Sequence, residues 1–289
     1  MTHSKSIAKN QPSRGELFLV ATPIGNLADI TLRALETLKS VDRIACEDTR
    51  TSFVLLKHYG IKAPLSAYHA HNEAAATESL LEELKQGKRI AVISDAGTPL
   101  LSDPGARLVN AAIAAGIRVT PIPGASALLS AITIAGLPSA QFFYAGFLPQ
   151  KSSARKSMLD TLGTIPATLV FYEAPHRLAE TLEELRAAFG DRDAAVAREL
   201  TKLHEECVRG SLTELMKHFS DSKARGECVI LVGGAAVAAA MDDAAIDKAL
   251  ARAMKKLRLK DAVAEVAAGS GRAKSDVYAR ALALKDGKK

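Results

Sequence analysis

Residues 89–105 read RIAVISDAGTPLLSDPG. Arg89–Ser94 is a short, continuous apolar run closed by turn residues, the pattern of a strand buried on both faces. Gly105–Ala115 then has helical spacing, Gly116 is placed to end that helix, and Arg118–Ile122 is the next strand. Upstream, Glu16–Ala21 and Arg43–Glu47 read as strands, while Ile30–Ser40, Phe53–Tyr59 and Glu73–Gln86 have helical spacing. Strand and helix alternate, which predicts an α/β fold whose first sheet is mostly parallel and covered by helices.

Downstream the pattern changes. Gln141–Phe147, Thr168–Tyr172, Ala194–Arg198, Glu206–Gly210 and Glu227–Gly233 read as strands, Arg177–Phe189 as a helix and Leu148–Arg155 as a polar loop. The near absence of helix between the third and fourth of these strands predicts a second α/β domain with a mixed sheet. From Ala235 the chain is Ala-rich, with helices expected over Asp247–Arg258, Ala262–Ala268 and Ser275–Leu284, a break at Gly269–Gly271 and Ser275 as a cap. The expected organisation is a flexible tail (1–15), an N-terminal α/β domain (16–137), a second α/β domain (138–234) and a small helical segment (235–289). Helix, Gly-containing turn and basic helix resemble a helix-turn-helix; the alternative is an appendage that only packs.

Of 289 residues, 48% are hydrophobic and 24% charged, the proportions of a globular protein. The three cysteines (Cys46, Cys207, Cys228) are far apart, which excludes a disulfide scaffold and a cysteine zinc site and fits a reducing compartment. No apolar run approaches the ~18 residues of a membrane span, and the polar N-terminus lacks the apolar core of a signal peptide, so a cytoplasmic protein is expected. His69 and His71 lack a metal-ligand spacing, and no metal is expected. The formal net charge is +6, carried by the ends: residues 1–15 hold three basic groups and no acid, and residues 241–289 hold twelve basic and seven acidic groups. Such ends suit either a polyanionic partner or a solubilising role.

Punctuated segments follow successive strands, where open α/β sheets bind ligands. Thr22-Pro23-Ile24-Gly25-Asn26 follows the first strand; it is neither GxGxxG nor a P-loop, and Gly25 permits close approach of a ligand. In Ser94–Gly105, Asp95 is a hydrogen-bond acceptor, Gly97 allows close approach, and Asp103-Pro104 resembles a helix cap with Pro at its first position. Ile122-Pro123-Gly124-Ala125-Ser126-Ala127 leaves room for a flat ligand. In the second domain, Phe171-Tyr172-Glu173-Ala174-Pro175-His176-Arg177 and Arg198-Glu199-Leu200-Thr201-Lys202 carry charges that read either as site groups or as solvated surface.

In this order, LFLVATPIGNLADITLRALETL, IACEDTR, ISDAGTPLLSDPG, PIPGASA, FYEAPHR and RELTK resemble the tetrapyrrole methylase superfamily, most closely its subgroup acting on small-subunit ribosomal RNA. The resemblance runs from about Leu17 to Gly234, with a weaker echo beyond. Porphyrin-type members carry a GxGxGD first loop where this chain has TPIGN, which favours RNA over a tetrapyrrole. The resemblance implies two α/β domains with a cleft between them, a homodimer, S-adenosylmethionine as methyl donor, and a cytidine 2′-hydroxyl in the decoding region of small-subunit ribosomal RNA, free or in the 30S subunit, as acceptor. It places Pro23, Asp95, Ala96, Gly97, Leu100, Ser126 and Ala127, beside Gly25, at the donor, and Glu173, Pro175, Arg177, Glu199 and Lys202 at the cleft. A ribose hydroxyl needs a proton acceptor, and Asp95, Glu173 and Glu199 all remain open for that role. A methyltransferase acting on a tetrapyrrole or other small molecule, and a non-catalytic nucleic-acid-binding protein, are the rival readings.

Overall fold

The computed structural model describes residues 15–220, 226–236 and 241–286; the expected tail, up to residue 14, lies outside them. Five strands form the first sheet: β1 (Glu16–Val20), β2 (Arg43–Cys46), β3 (Leu65–Ala67), β4 (Arg89–Ile93) and β5 (Arg118–Ile122), in the order β3-β2-β4-β1-β5 and all parallel. Four helices cross between them: α1 (Leu32–Ser40), α2 (Thr49–His58), α3 (Glu73–Lys85) and α4 (Ala106–Ala114). Alternate strand residues feed opposite faces. Phe18, Val20, Ile44, Ala91 and Ile93 pack with Ala34, Leu38 and Leu56, whereas Leu17, Ala45, Ile90 and Val92 pack with Leu80, Leu84 and Leu108. That is why the strands read as unbroken apolar runs. Each such buried Leu or Ile contributes about 1.5–3 kcal/mol of transfer free energy.

After β5, helix α5 (Ala127–Ile134) leads into the second sheet, made of β6 (Phe142–Phe147), β7 (Thr168–Glu173), β8 (Asp193–Arg198), β9 (Glu206–Ser211) and β10 (Cys228–Val232). Its order is β6-β7-β10-β8-β9, parallel only between β6 and β7. Helices α6 (Ser152–Leu162), α7 (Leu178–Phe189) and α8 (Leu212–Phe219) cover one face through Leu159, Leu182, Leu185 and Leu215. The other face receives Leu128, Ala131 and Ile132 of α5. Helix α5 thus packs on the sheet that follows it, and both sheets lie in one compact unit, up to Gly234.

Two local expectations, for 148–155 and for Asp103, are corrected, and one further helix emerges. The segment 148–155 is not all loop: α6 starts at Ser152, and Arg155 turns inward to Glu184 (Nη2–Oε1 2.6 Å) and to the carbonyls of Pro149 and Gln150. Helix α8 follows β9 directly, started by a reciprocal cap between Ser211 and Glu214. Helix α4 is capped by Gly105 (φ +140), whose N–H donates to Glu73 Oε1 at 3.1 Å, so Asp103 is no cap.

The second unit, from Ala235, contains α9 (Asp243–Ala253), α10 (Leu259–Ser270) and α11 (Lys274–Asp286), packed through Ile246, Leu250, Val263, Val266, Val277 and Ala281. The break between α10 and α11 spans residues 271–273 and begins at Gly271 (φ +66), Gly269 lies inside α10, and Ser275 lies inside α11 rather than capping it. Among the described residues no helix is long and apolar enough to cross a membrane.

Candidate active site

Three loops leave the carboxyl ends of β1, β4 and β5 and are tied to one another. Thr22 N–H donates to Gly97 O (2.9 Å), Gly97 N–H donates back to Thr22 O (3.0 Å), and Thr22 Oγ1 donates to Ser94 O (3.1 Å). Ser94 Oγ donates to Gly97 O, and Thr98 Oγ1 donates to Ala125 O. Ser126 caps α5, accepting from Leu129 N–H. These bonds brace the loops against one another and make the floor of the site. Among the described residues, only Leu100, Ser102, Glu199 and Thr201 combine a side chain with positive φ. All four fall in two loops, 94–105 and 199–205, and strain of this kind costs on the order of 1–3 kcal/mol per residue and concentrates at ligand sites.

Between the two sheets those loops enclose a cleft of about 680 Å³. One wall is Ile24, Ala96, Gly97, Thr98, Leu101 and Ala127; the other is Phe147, Tyr172, Glu199, Leu200, Lys202, Glu227, Cys228 and Val229. Glu199 accepts from Lys202 Nζ at 2.8 Å. Two glycines make that pair possible. A Cβ on Gly25 would stand 2.5 Å from Lys202 Cγ, and one on Gly226 (φ +72) would stand 1.7 Å from Glu199 Oε1. Two tyrosines bridge the sheets: Tyr172 Oη accepts from Leu128 N–H at the start of α5 (3.1 Å), and Tyr144 Oη and Ser102 Oγ share a 2.6 Å hydrogen bond. Burial pushes the Tyr172 phenol up to about 12 and the Cys228 thiol up to about 11, so both are neutral near pH 7.

Of the residues expected at the site, Ala96, Gly97, Ala127, Glu199 and Lys202 line the cleft, Gly25 supports Lys202, and Ser126 caps the helix that Ala127 begins. Pro23 and Asp95 face an adjoining groove of about 660 Å³ with Thr22, Leu27, Thr51, Val54 and Leu55, and Asp95 Oδ1 accepts from Asp48 N–H. The Leu100 side chain packs against Gly105, and its neighbour Leu101 lines the cleft instead. Glu173 is not brought to the cleft. It is 1% exposed and accepts from Thr181 Oγ1 (2.7 Å) and Ala174 N–H (2.8 Å), with Arg177 at 3.6 Å. Pro175, His176 and Arg177 form a one-turn 3-10 helix behind it. A buried carboxylate with two donors and a guanidinium is a structural bracket, not a free base. Among the described residues no cluster of three or more His, Cys, Asp or Glu is arranged to hold a metal ion.

Sequence reasoning missed Ile24, Leu101, Phe147, Tyr172, Glu227 and Cys228. Ile24, Leu101 and Tyr172 lie inside the punctuated motifs, each next to a residue that was chosen. It also missed the charge beneath the β4 loop. Burial, then Glu47, Asp95 and Glu227, push the half-buried Asp103 up to about 6. Burial and Asp95 likewise raise Glu47.

Walls made largely by Ile24, Leu101, Ala127, Phe147, Leu200 and Val229 suit a flat organic ligand. Glu199 and Glu227 supply negative charge and Lys202 positive charge, a donor set that fits a ligand carrying ammonium, carboxylate and a further cationic centre. Comparison with known proteins gives three likenesses. The family model described as tetrapyrrole (corrin/porphyrin) methylases matches residues 16–216, and one described as RsmI C-terminal HTH domain matches residues 240–285. The chain is 51% identical to a ribosomal RNA small subunit methyltransferase I of Mesorhizobium japonicum, over 96% of this chain and 94% of the relative. It shares its fold with a diphthine synthase (TM-score 0.60, 16% identity, 76% of this chain and 90% of that one) and with a Thermus thermophilus uroporphyrin-III C-methyltransferase complexed with S-adenosyl homocysteine (TM-score 0.55, 19%, 76% and 97%).

Proposed function

The chain belongs to the tetrapyrrole methylase family, in its ribosomal RNA small subunit methyltransferase I group, and on that premise we propose that it methylates the 2′-hydroxyl of a cytidine in the decoding region of small-subunit ribosomal RNA. The methyl donor is S-adenosylmethionine, and the enzyme works in the cytoplasm as a homodimer. Residues 16–137 hold the donor, residues 138–234 close the cleft over it, and residues 235–289 meet the RNA. The observation that carries this reading is the cleft itself: cross-braced loops at the carboxyl ends of three parallel strands, faced by Glu199, Lys202 and Glu227.

The donor, when bound, supplies a methyl group on a positively charged sulfur. Gly97, Thr98 and Ala127 cradle it against Ile24 and Leu101, while Glu199 and Glu227 oppose its positive charge and Lys202 its carboxylate. Leu200 and Phe147 exclude water, which strengthens those charge interactions. In-line transfer depends above all on holding the acceptor oxygen near the methyl group. The groove of Pro23 and Asp95 opens beside the cleft and receives the acceptor nucleotide. Of the three sequence candidates Asp95 alone lines that groove, and it accepts the hydroxyl proton.

The test is methylation of small-subunit RNA, free and as assembled subunits, paired with donor binding by calorimetry. Asp95→Asn is expected to lower kcat about 10²–10⁴-fold with little change in donor Kd. Unchanged cytidine methylation in a strain lacking the protein, or build-up of coloured tetrapyrroles there, overturns the reading.

A further inference from the structure

The C-terminal unit resolves its cations into two classes. Arg280 pairs with Asp243 (Nη1–Oδ2 2.6 Å) and with Asp247 (2.6 Å), and Arg272 pairs with Asp243 (3.1 Å) and approaches Asp276 (3.9 Å). Acids on α9 therefore neutralise the two arginines at and before α11. On α11 that leaves Lys274 and Lys285, eleven residues apart, exposed and without an ion partner.

Within the other class, the densest run lies between Lys248 and Lys260. Those thirteen residues hold Lys248, Arg252, Lys255, Lys256, Arg258 and Lys260 and no acid. All six are exposed, and none joins an ion pair among the described residues. Lys248, Arg252 and Lys256 follow one another at four-residue spacing, with Lys248 and Arg252 on one face of α9. Lys255 and Lys256 lie in the turn after it, and Arg258 precedes α10 with its side chain uncommitted to the backbone. Arg252, Lys256 and Leu257 border a groove of about 1000 Å³. Glu265 of α10 faces that groove but pairs with neither cation. Like charges at this spacing repel. A folded unit that pairs Arg272 and Arg280 with Asp243 and Asp247 and leaves six cations within thirteen residues unpaired is matched to an external polyanion.

We infer that the 248–260 edge, the end of α9 and its turn into α10, is the surface that contacts the ribosomal RNA backbone, and that α11 holds it in place. The inference rests on the RNA reading above and adds where the phosphates lie. Counterion release sets its signature. Each lost phosphate contact lowers the slope of log K against log salt by about 0.7–0.9.

The experiment measures binding of the full-length protein to small-subunit RNA between 50 and 300 mM salt. The triple variant Arg252→Gln, Lys256→Gln, Arg258→Gln is compared with the α11 variant Lys274→Gln, Lys285→Gln. The triple variant is expected to reduce the slope by about 2 to 3 and to keep wild-type donor binding, which also reports that the chain is folded. The α11 variant is expected to keep the wild-type slope. Wild-type binding and methylation with an unchanged slope in the triple variant, or a slope lost only in the α11 variant, overturns this inference alone. A wild-type protein that neither binds nor methylates the RNA overturns the RNA reading and this inference with it.

Discussion

Replacing Asp103 by Asn reports directly on the charge stored beneath the β4 loop. Asp103 is pushed up to about 6 from an ordinary 3.8, first by burial and then by Glu47, with further contributions from Asp95 and Glu227. In the folded chain it stays protonated between about pH 4 and pH 6, where the unfolded chain has already ionised it. The folded state then binds more protons, so this group's contribution to stability falls as pH rises through that window and stays low above it. A displacement of about two pKa units at 1.36 kcal/mol per unit is about 3 kcal/mol; partial exposure of the side chain reduces this to about 1–2 kcal/mol. Asp103→Asn removes the ionisation. The stability of the variant relative to wild type, from urea unfolding at half-unit steps of pH, is expected to rise by about 1–2 kcal/mol between pH 4 and pH 6.5 and then level off. In melting temperature that is about 2–8 °C for a unit of this size. Any effect of the amide on Ser94 is independent of pH and shifts the curve without tilting it. A flat difference across pH 4–7, or one that falls with pH, refutes the reasoning.

Other expectations follow from single contacts. Gly226→Ala places a methyl group on Glu199 Oε1 at a positive φ; donor affinity measured by calorimetry is expected to fall at least tenfold, with a stability loss of about 1–2 kcal/mol. Arg155→Ala leaves the half-buried Glu184 carboxylate and the carbonyls of Pro149 and Gln150 without their donor and is expected to cost about 1–3 kcal/mol in urea unfolding. Tyr172→Phe leaves Leu128 N–H at the start of α5 without its acceptor, which is expected to cost about 1–3 kcal/mol. A Tyr172→Phe protein as stable as wild type argues against that bridge.

Much of the local architecture is legible in the order of residues along the chain. β4 ends within one residue of its expected limit, because a strand buried on both faces writes its burial directly into composition, whereas β5, an edge strand with only Ile122 buried, spans Arg118–Ile122 as expected because Gly116 and Pro123-Gly124 punctuate it on either side. Helix limits are less legible where a polar side chain turns inward. Arg155 makes 148–155 resemble a loop, although its guanidinium is spent on Glu184 and two carbonyls inside the second domain. Asp103 resembles a cap because Asp-Pro so often is one, but Glu73, thirty-two residues away, takes the N–H of Gly105.

The candidate site divides the same way. Sequence alone determined which loops matter, since Gly, Pro, Ser and Asp after buried strands mark the ends where ligands bind. Only the tertiary structure decided which side chains of those loops meet. It turned Leu101 into the cleft and Leu100 away from it, enclosed Glu173 behind Thr181 and Arg177, and laid Lys202 along Gly25 from a loop more than 170 residues later. In the C-terminal unit, sequence showed an excess of positive charge, and folding chose which of it is free, by drawing Arg272 and Arg280 onto the acids of α9. The physical reason is common to all of these. Burial and turn formation are set by neighbours along the chain, whereas ion pairing, hydrogen-bond partnership and access to a cleft are set by neighbours in space.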